Sequence, residues 1–275
     1  MAAIALLGLS LGAGAFARSA ARTEVAKKGV GSYSNVANAA AAMTAMHVGW
    51  YYNWGIAPDS ATPGVQFVPM IWSHKNVNDE ELKAAKSSGS GILLGFNEPD
   101  NGGQANMTVD QAIADWPKLQ ATGLRLGSPA SQTGDDLKPN GWLAQFMAQA
   151  KAHGFRVDFV CIHPYQSATD PVQATKDLRA EIEYVHEAYG LPIWVTEYGM
   201  VNWNTNVYPD APTAARFAAL SAAMMNRLPY VERYAWYSLI PNQKTLSLTH
   251  PDGSLNRIGH AWADADGGSH SLHRQ

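Results

Sequence analysis

The feature that most constrains the fold of this chain is an alternation of short apolar runs with helix-patterned segments. Eight apolar runs occupy residues 27–33, 47–54, 66–72, 91–99, 124–130, 157–165, 192–199 and 231–238. Most of these runs are apolar along their whole length, which is typical of parallel strands covered on both faces of a sheet. The sequence therefore predicts eight buried, parallel strands.

Helix-patterned segments fill most of the intervals between the predicted strands. These segments occupy residues 35–46, 78–89, 108–123, 140–154, 171–190 and 213–228, and several end on Gly. The connection after the second strand is too short and Pro-rich for a full helix. Eight strands with no linker between them predict an α/β fold, a single compact (β/α)8 TIM barrel. A doubly wound open sheet is the alternative, but no G-x-G-x-x-G or P-loop pattern follows any strand.

Composition narrows the classes of partner. The net charge is −3 and no basic run could follow a phosphate backbone, so we expect no nucleic acid partner. The chain contains no H-E-x-x-H motif and only one Cys, and its scattered His residues lack metal-ligand spacing, so we expect neither a metal nor another cofactor. Nine Trp and eleven Tyr residues are the unusual part of the composition.

The N-terminal segment predicts export. Residues 2–17 are apolar over the length of a signal-peptide core and end on Ala15-Phe16-Ala17, an A-x-A cleavage pattern, although no Lys or Arg precedes them. We interpret 1–17 as a signal peptide, 18–26 as a linker, 27–265 as the barrel and 266–275 as a flexible tail. A buried N-terminal helix is the alternative. We expect a secreted monomer, extracellular or periplasmic, without a membrane span.

Cys161, the single cysteine, has two interpretations. In the run DFVCIHPY it is expected to pack as a small apolar residue. The alternative is a nucleophile with His163 as its base, but no third group that would orient the His is evident.

Polar and aromatic residues collect where the predicted strands end. In a (β/α)8 barrel these ends form the active face, so such residues indicate function. They are Tyr52, Asn53 and Trp54 on the second strand, Trp72 on the third, Asn97 and Glu98 on the fourth, His163 and Tyr165 on the sixth, Glu197 and Tyr198 on the seventh, and Trp236 and Tyr237 on the eighth. The two carboxylates, on strands four and seven, are predicted to face each other across the barrel mouth.

Two carboxylates across a cleft lined by aromatic rings suit cleavage of a glycosidic bond. One group protonates the leaving oxygen while the other attacks the anomeric carbon or activates water. The alternative is structural: Glu98 could pair with Arg125 or Lys75, and Glu197 could accept hydrogen bonds from neighbouring backbone.

The sequence motifs around the predicted strands resemble those of a known family. Asn-Glu-Pro after the fourth strand with a Glu ending the seventh resembles the clan A retaining glycoside hydrolases. The series KKGVG, WYYNW, FVPMIW, LLGFNEPD, LGSPA, DFV with His-Pro-Tyr, PIWVTEYG and VERYAWYS resembles glycoside hydrolase family 128, whose members cleave β-1,3-glucans. The chain departs from the family pattern at Pro164, where the family tends to have Trp. This change removes a candidate sugar-stacking ring.

The resemblance implies a metal-independent, retaining endo-β-1,3-glucanase with Glu98 as acid/base and Glu197 as nucleophile. The apolar run before Glu98 agrees, because it disfavours the charged form of that carboxyl. Retention predicts that the two carboxyl groups lie about 5 to 5.5 Å apart. Tyr165, Tyr198 and His163 are candidates to hydrogen-bond Glu197. Asn97 is the expected partner of the sugar 2-hydroxyl.

Aromatic residues at the strand ends are the expected substrate-binding groups. Tyr52, Trp54, Trp72 and Trp236 are the expected sugar platforms, whereas Trp50 and Trp194 are expected in the core. The implied partner is a β-1,3-glucan polysaccharide or oligosaccharide. Two alternatives stay open: a clan A enzyme acting on β-1,4-linked mannan or xylan, which would share the Glu pair, and a non-catalytic glucan-binding barrel, which would lose one of the two carboxylates.

Overall fold

A computed structural model describes residues 26–33, 36–58, 62–167 and 169–265. The predicted signal peptide 1–17, residues 18–25 of the predicted linker and the predicted tail 266–275 lie outside the described residues. No helix in the described ranges is long and apolar enough to cross a bilayer.

The eight predicted strands are present, and each is shorter than the apolar run that predicted it. They are β1 (Lys28–Gly31), β2 (Trp50–Tyr52), β3 (Gln66–Phe67), β4 (Ile92–Leu93), β5 (Arg125–Leu126), β6 (Val160–Ile162), β7 (Ile193–Tyr198) and β8 (Val231–Trp236). Several of the predicted site residues therefore lie just beyond the last paired residue of a strand, on backbone that leads into the following loop.

The strands close into a barrel. Every strand pairing is parallel, in a six-stranded sheet of order β3-β2-β1-β8-β7-β6 and a two-stranded sheet of β4 and β5. Parallel bridges from Met70 to Leu94 and from Gly127 to Phe159 join the two sheets at both seams. Across these seams the Leu94 N–H donates to Pro69 O at 2.9 Å, and the Ser128 N–H donates to Phe159 O at 3.0 Å. The predicted (β/α)8 barrel is confirmed, and the open sheet is wrong.

Helices cover the outside of the barrel. They are α1 (Ala39–Ala45), α2 (Asp79–Ser87), α3 (Val109–Gln120), α4 (Trp142–Ala152), α5 (Pro171–Tyr189), α6 (Ala211–Arg227) and α7 (Arg257–Ala263). The first six match the predicted segments, and the described part of the connection after β2 contains no helix, as predicted. A seventh, short helix that the sequence pattern did not predict is α7, which is capped by Asn256 and packs Trp262 against β8.

The barrel interior is filled by aromatic rings. Trp50 and Trp194 are fully buried there, as predicted, with ring centroids 5.1 Å apart, and Cys161 is buried in the same cluster. Burial raises the pKa of the Cys161 thiol well above its usual range, so this residue packs as an apolar side chain and is not a nucleophile. Below the rings, Arg125 and Glu232 form a salt bridge of 2.5 Å.

Glycine makes room for one of these rings. A Cβ atom on Gly29 would lie 2.4 Å from two atoms of the Trp50 indole. We expect Gly29→Ala to lower the free energy of unfolding by about 1–3 kcal/mol, the usual cost of overpacking a core. Urea denaturation measures this change. Gly102→Ala is the control, because a Cβ there meets nothing within 4 Å; equal stability of the two variants would contradict the packing argument.

Candidate active site

A cavity of about 850 Å³ opens at the carboxyl ends of the strands. Among the residues that line it are eight that the sequence places at strand ends: Asn53, Trp54, Trp72, Asn97, Glu98, Tyr165, Glu197 and Tyr237. The barrel therefore brings the two carboxylates and part of the aromatic set into one space, as the position of these residues at strand ends predicted.

Glu197, near the end of β7, is held by three hydrogen-bond donors. The Trp54 indole N–H and the Tyr52 hydroxyl donate to Oε1 at 2.7 and 3.1 Å, and the Tyr165 hydroxyl donates to Oε2 at 2.7 Å. The residue is only 6% exposed. A carboxylate at this depth has lost most of its hydration, and these donors compensate for the loss.

The two tyrosines remain hydrogen-bond donors because the pKa of each hydroxyl is raised. Burial, and then the negative charge of Glu197, raise the pKa of Tyr52 and of Tyr165 well above the usual range. Both hydroxyls therefore keep their protons throughout the neutral range and continue to hold Glu197 in one orientation.

Glu98 follows β4 in a left-handed backbone conformation, with φ of 43°. Its Oε1 lies 3.0 Å from His163 Nδ1, and Asn101 Nδ2 donates to its Oε2 at 3.4 Å. Arg125 is engaged with Glu232 at the other end of the barrel, so the alternative in which Glu98 pairs with Arg125 is wrong. The apolar run lies below this carboxyl, while the carboxyl itself contacts an imidazole and an amide.

His163 connects the two carboxylates. Besides its contact with Glu98, its Nε2 lies 3.7 Å from Glu197 Oε1. Burial by itself lowers the pKa of this imidazole, but the negative charge of Glu197 and the hydrogen bond to Glu98 outweigh burial and raise the pKa. The ring is fully enclosed, so it acts on the two carboxylates from below the cavity.

The distance between the carboxylates fits the predicted geometry. One oxygen of Glu98 and one of Glu197 lie within 4.8 Å of each other and of a His163 ring nitrogen. One oxygen of each carboxylate is thus closer to the other than the roughly 6.5–9.5 Å separation of inverting glycosidases, which favours the roughly 5–5.5 Å separation of retaining ones. These three side chains are also the one candidate group of metal ligands found within the described ranges. The Glu197 oxygens are already committed to three hydrogen bonds.

The residues predicted as sugar platforms lie at different positions relative to the cavity. Trp72 lines the cavity as expected. Trp54 also lines it, but its indole N–H serves Glu197 and its ring packs on Tyr33 with centroids 4.6 Å apart. Tyr52 is completely buried beneath Trp54, so it supports Glu197 and offers no ring face to a ligand.

Two of the predicted binding residues lie outside the site. Tyr198 and Trp236 are fully buried, pair across β7 and β8, and pack against α6 and α7. The Trp236 indole donates to Leu246 O at 2.8 Å, and the Tyr198 hydroxyl accepts from Ser221 Oγ at 3.3 Å. The predictions that Trp236 is a sugar platform and that Tyr198 hydrogen-bonds Glu197 are wrong, because both side chains point out of the barrel.

Asn97 is placed as a ligand-binding residue would be. It is 3% exposed, lines the cavity, and its Nδ2 donates to Gln104 Oε1 at 3.4 Å. Its Oδ1 has no hydrogen-bond partner among the described residues. A buried acceptor without a donor indicates a position where a ligand hydroxyl could donate.

The cavity wall includes two aromatic residues that were not selected from the sequence, Tyr33 and Trp203, and one strand-end residue, Tyr237, that was not predicted as a sugar platform. Trp203, in the loop between β7 and α6, is 45% exposed and contacts Tyr165 edge-on with centroids 5.2 Å apart. No strand pattern marks this loop. The signal that was available is a large aromatic residue in the connection that directly follows the strand carrying Glu197.

Comparisons with known proteins agree with this geometry. The model of the family described as glycosyl hydrolase catalytic core matches residues 30–262. A GH128 (subgroup I) endo-beta-1,3-glucanase from Amycolatopsis mediterranei, solved in complex with laminaritriose, is 41% identical, with a TM-score of 0.83 over 87% of this chain and 99% of that one.

More distant relatives differ in role. A GH128 (subgroup VII) oligosaccharide-binding protein from Trichoderma gamsii is 26% identical, with a TM-score of 0.70 over 87% of this chain and 93% of that one. Alkali-sensitive linkage protein 1 of Schizosaccharomyces pombe is 29% identical over 70% of this chain, which spans 34% of that protein's length. The family model matches most of the chain, and a solved member of the family is 41% identical to it. The chain therefore carries a glycosyl hydrolase catalytic core and belongs to glycoside hydrolase family 128.

Proposed function

We propose that this chain hydrolyses internal β-1,3-glucosidic bonds of β-1,3-glucans with retention of the anomeric configuration. The observation that carries this proposal is the pair Glu98 and Glu197, with oxygens within 4.8 Å of each other in a cavity of about 850 Å³. The 41% identical relative that was solved with laminaritriose supports the choice of substrate.

The geometry suits a double displacement. In the first step Glu197 attacks the anomeric carbon and Glu98 donates its proton to the leaving oxygen, which forms a covalent glycosyl-enzyme. In the second step Glu98 takes a proton from water, and the resulting hydroxide displaces Glu197. Tyr52, Trp54 and Tyr165 fix the attacking carboxylate in one orientation throughout.

His163 stabilises the negative charge as that charge moves. Before the first step the charge is on Glu197, and afterwards it is on Glu98, since one group has become an ester and the other has lost its proton. His163 lies 3.7 Å from the first carboxylate and 3.0 Å from the second. A protonated imidazole between them is next to the charge in both states, without having to move.

The non-catalytic alternative is less consistent with this site. One distant relative is described as an oligosaccharide-binding protein. In this chain both carboxylates are present, and the donors that would hold a nucleophile in place surround Glu197. A site that only binds sugar has no need to keep a buried carboxylate under three donors.

The first functional prediction concerns the two carboxylates. We expect Glu98→Gln and Glu197→Gln each to lower kcat on a β-1,3-glucan by about 100-fold or more, since each deletes a proton donor or a nucleophile with little change in shape. Glu187→Gln, on the exposed face of α5, is the control. With an activated aryl β-glucoside, azide should rescue Glu98→Ala to a β-glycosyl azide and Glu197→Ala to the α-anomer; the reverse pattern would exchange the two roles.

The second prediction tests mechanism and substrate together. Proton NMR of the first product released from a linear β-1,3-gluco-oligosaccharide should show the β-anomer before mutarotation, because double displacement retains configuration. An α-anomer appearing first would overturn the double-displacement mechanism. Rapid cleavage of β-1,4-mannan or xylan without cleavage of the β-1,3-linked substrate would leave the carboxylate pair in place and overturn the substrate.

The third prediction concerns Trp203 as a sugar platform. Its ring is 45% exposed on the cavity wall and packs edge-on against Tyr165, the residue whose hydroxyl donates to Glu197. Trp203→Ala should raise KM about 3- to 10-fold with little change in kcat, as expected for the loss of one stacking contact. Tyr184→Ala, an exposed aromatic residue on α5 outside the cavity, should leave KM unchanged. An unchanged KM in Trp203→Ala would exclude this platform.

A further inference from the structure

Asn101 follows Glu98 in the loop between β4 and α3 and lines the cavity, but the mechanism above gives it no part. Its backbone is held on both sides, since its N–H donates to Glu98 O at 3.0 Å and its carbonyl accepts from the Gln104 N–H at 2.9 Å. Asp100 ties the same turn to the loop after β5, because its Oδ1 accepts from the Gln132 N–H at 2.9 Å. The position of the Asn101 side chain relative to Glu98 is therefore fixed by the backbone.

The orientation of the Asn101 amide is set by a backbone donor. The Gly103 N–H donates to Asn101 Oδ1 at 2.9 Å, which identifies the amide oxygen because an N–H group requires an acceptor. The amide nitrogen Nδ2 therefore points the other way, where it lies 3.4 Å from Glu98 Oε2. Turning the amide over would bring two oxygen acceptors together and leave the Gly103 N–H facing another N–H. A donor consequently faces this carboxyl oxygen.

The two oxygens of the Glu98 carboxyl have different surroundings. Oε1 lies 3.0 Å from Nδ1 of His163, whose ring is fully enclosed, whereas Oε2 faces Asn101, which lines the cavity. Oε2 is therefore the oxygen on the cavity side, from which a proton can reach a leaving group. A proton on Oε2 cannot point at Asn101 Nδ2, because two donors would then face each other. That proton must lie on the other side of the oxygen, away from Asn101.

The same contact suits the state in which the proton has left. Glu98 is then a carboxylate, and the Asn101 N–H can donate to its negative charge. At 3.4 Å the contact is longer than a typical N–H···O bond, as is common for catalytic hydrogen bonds in enzymes without substrate, which shorten when substrate binds. Shortening would give the carboxylate a donor on each oxygen, His163 on Oε1 and Asn101 on Oε2.

We propose that Asn101 is a positioning residue for Glu98: its amide N–H directs the acid proton on Oε2 towards the leaving oxygen and donates to the same oxygen after the proton has left. The proposal rests on the proposed glycosidase function, with Glu98 as its acid/base. It adds to that function a residue that acts through Glu98.

Asn101→Asp tests the donor, because Oδ1 can still accept from the Gly103 N–H while the Nδ2 donor is lost. The measurement is kcat/KM on two aryl glycosides of a β-1,3-gluco-oligosaccharide, one releasing phenol and one releasing dinitrophenol. Phenol leaves slowly unless it is protonated, whereas dinitrophenol leaves without a proton. Since general acid catalysis contributes roughly 10²–10⁴-fold, we expect kcat/KM to fall about 10-fold or more for the phenyl substrate and to change less than about 2-fold for the dinitrophenyl one.

Asn101→Ala removes the same donor without adding a charge, and the same selective loss should appear. Selective loss in only one of the two variants would trace the effect to the added charge or to the broken turn and would overturn the proposal. Equal losses on both substrates would show a purely structural role, and no loss would show that the donor is dispensable; either result overturns it as well. Asn140→Asp is the matched control, since Asn140 also precedes a Gly but is exposed and outside the cavity lining.

A second measurement needs no substrate. The side-chain NH2 resonances of Asn101, assigned by their loss in Asn101→Asp, should move in Glu98→Ala, which removes the acceptor, and stay in place in Glu187→Gln. Unmoved resonances in Glu98→Ala would exclude the contact and overturn the proposal.

The wild-type rates separate this proposal from the proposed function. A wild-type chain inactive on both aryl substrates and on β-1,3-glucan would overturn the proposed function and this proposal with it. An active wild type whose Asn101 variants lose activity equally on both substrates would overturn this proposal alone.

Discussion

The active site depends on keeping a buried carboxylate fully hydrogen-bonded. Glu197 has little contact with water, and its donors come from different parts of the barrel: Tyr52 from β2, Trp54 from the loop after β2, and Tyr165 from the loop after β6. Those donors converge because the closed parallel ladder fixes β2, β6 and β7 relative to one another. Losing barrel closure would separate the donors, and a carboxylate at this depth would then lack compensation for its desolvation.

Charged groups of opposite sign lie next to one another around this carboxylate. His163 lies beneath Glu98 and Glu197, with Nδ1 at 3.0 Å from Glu98 Oε1 and Nε2 at 3.7 Å from Glu197 Oε1. The negative charge of Glu197 and the hydrogen bond to Glu98 raise the pKa of the ring and so favour an imidazolium between two carboxylates. Alternation of this kind lets a barrel of modest net charge hold several ionisable groups close together, because each charge has an opposite neighbour at low dielectric.

Much of this arrangement follows from the sequence, and the misses have physical reasons. Continuous apolar runs and Gly-terminated helices were enough to predict the barrel. The position of Glu98 and Glu197 at strand ends was enough to predict that they lie in the active site. Strand position alone misplaced Tyr198 and Trp236. Successive side chains on a strand point to opposite faces, so Tyr198, next to Glu197, had to point outward. No local sequence pattern shows how deeply a side chain is buried below the cavity. Tyr52 faces the barrel interior, but Trp54 covers it.

The left-handed backbone at Glu98 and Trp54 has a consequence for the evolution of such barrels. Each conformation costs a non-glycine residue about 1–3 kcal/mol, which the surrounding structure must offset. Asn tolerates this region better than Glu or Trp. A lineage that gave up catalysis could therefore gain stability by a single replacement at Glu98 and keep the cavity, whereas replacing Trp54 would also remove a hydrogen-bond donor from the buried Glu197. Sugar-binding barrels without enzymatic activity would then be the expected product of relaxed selection on this fold. The same substitution that abolishes catalysis also relieves the backbone strain.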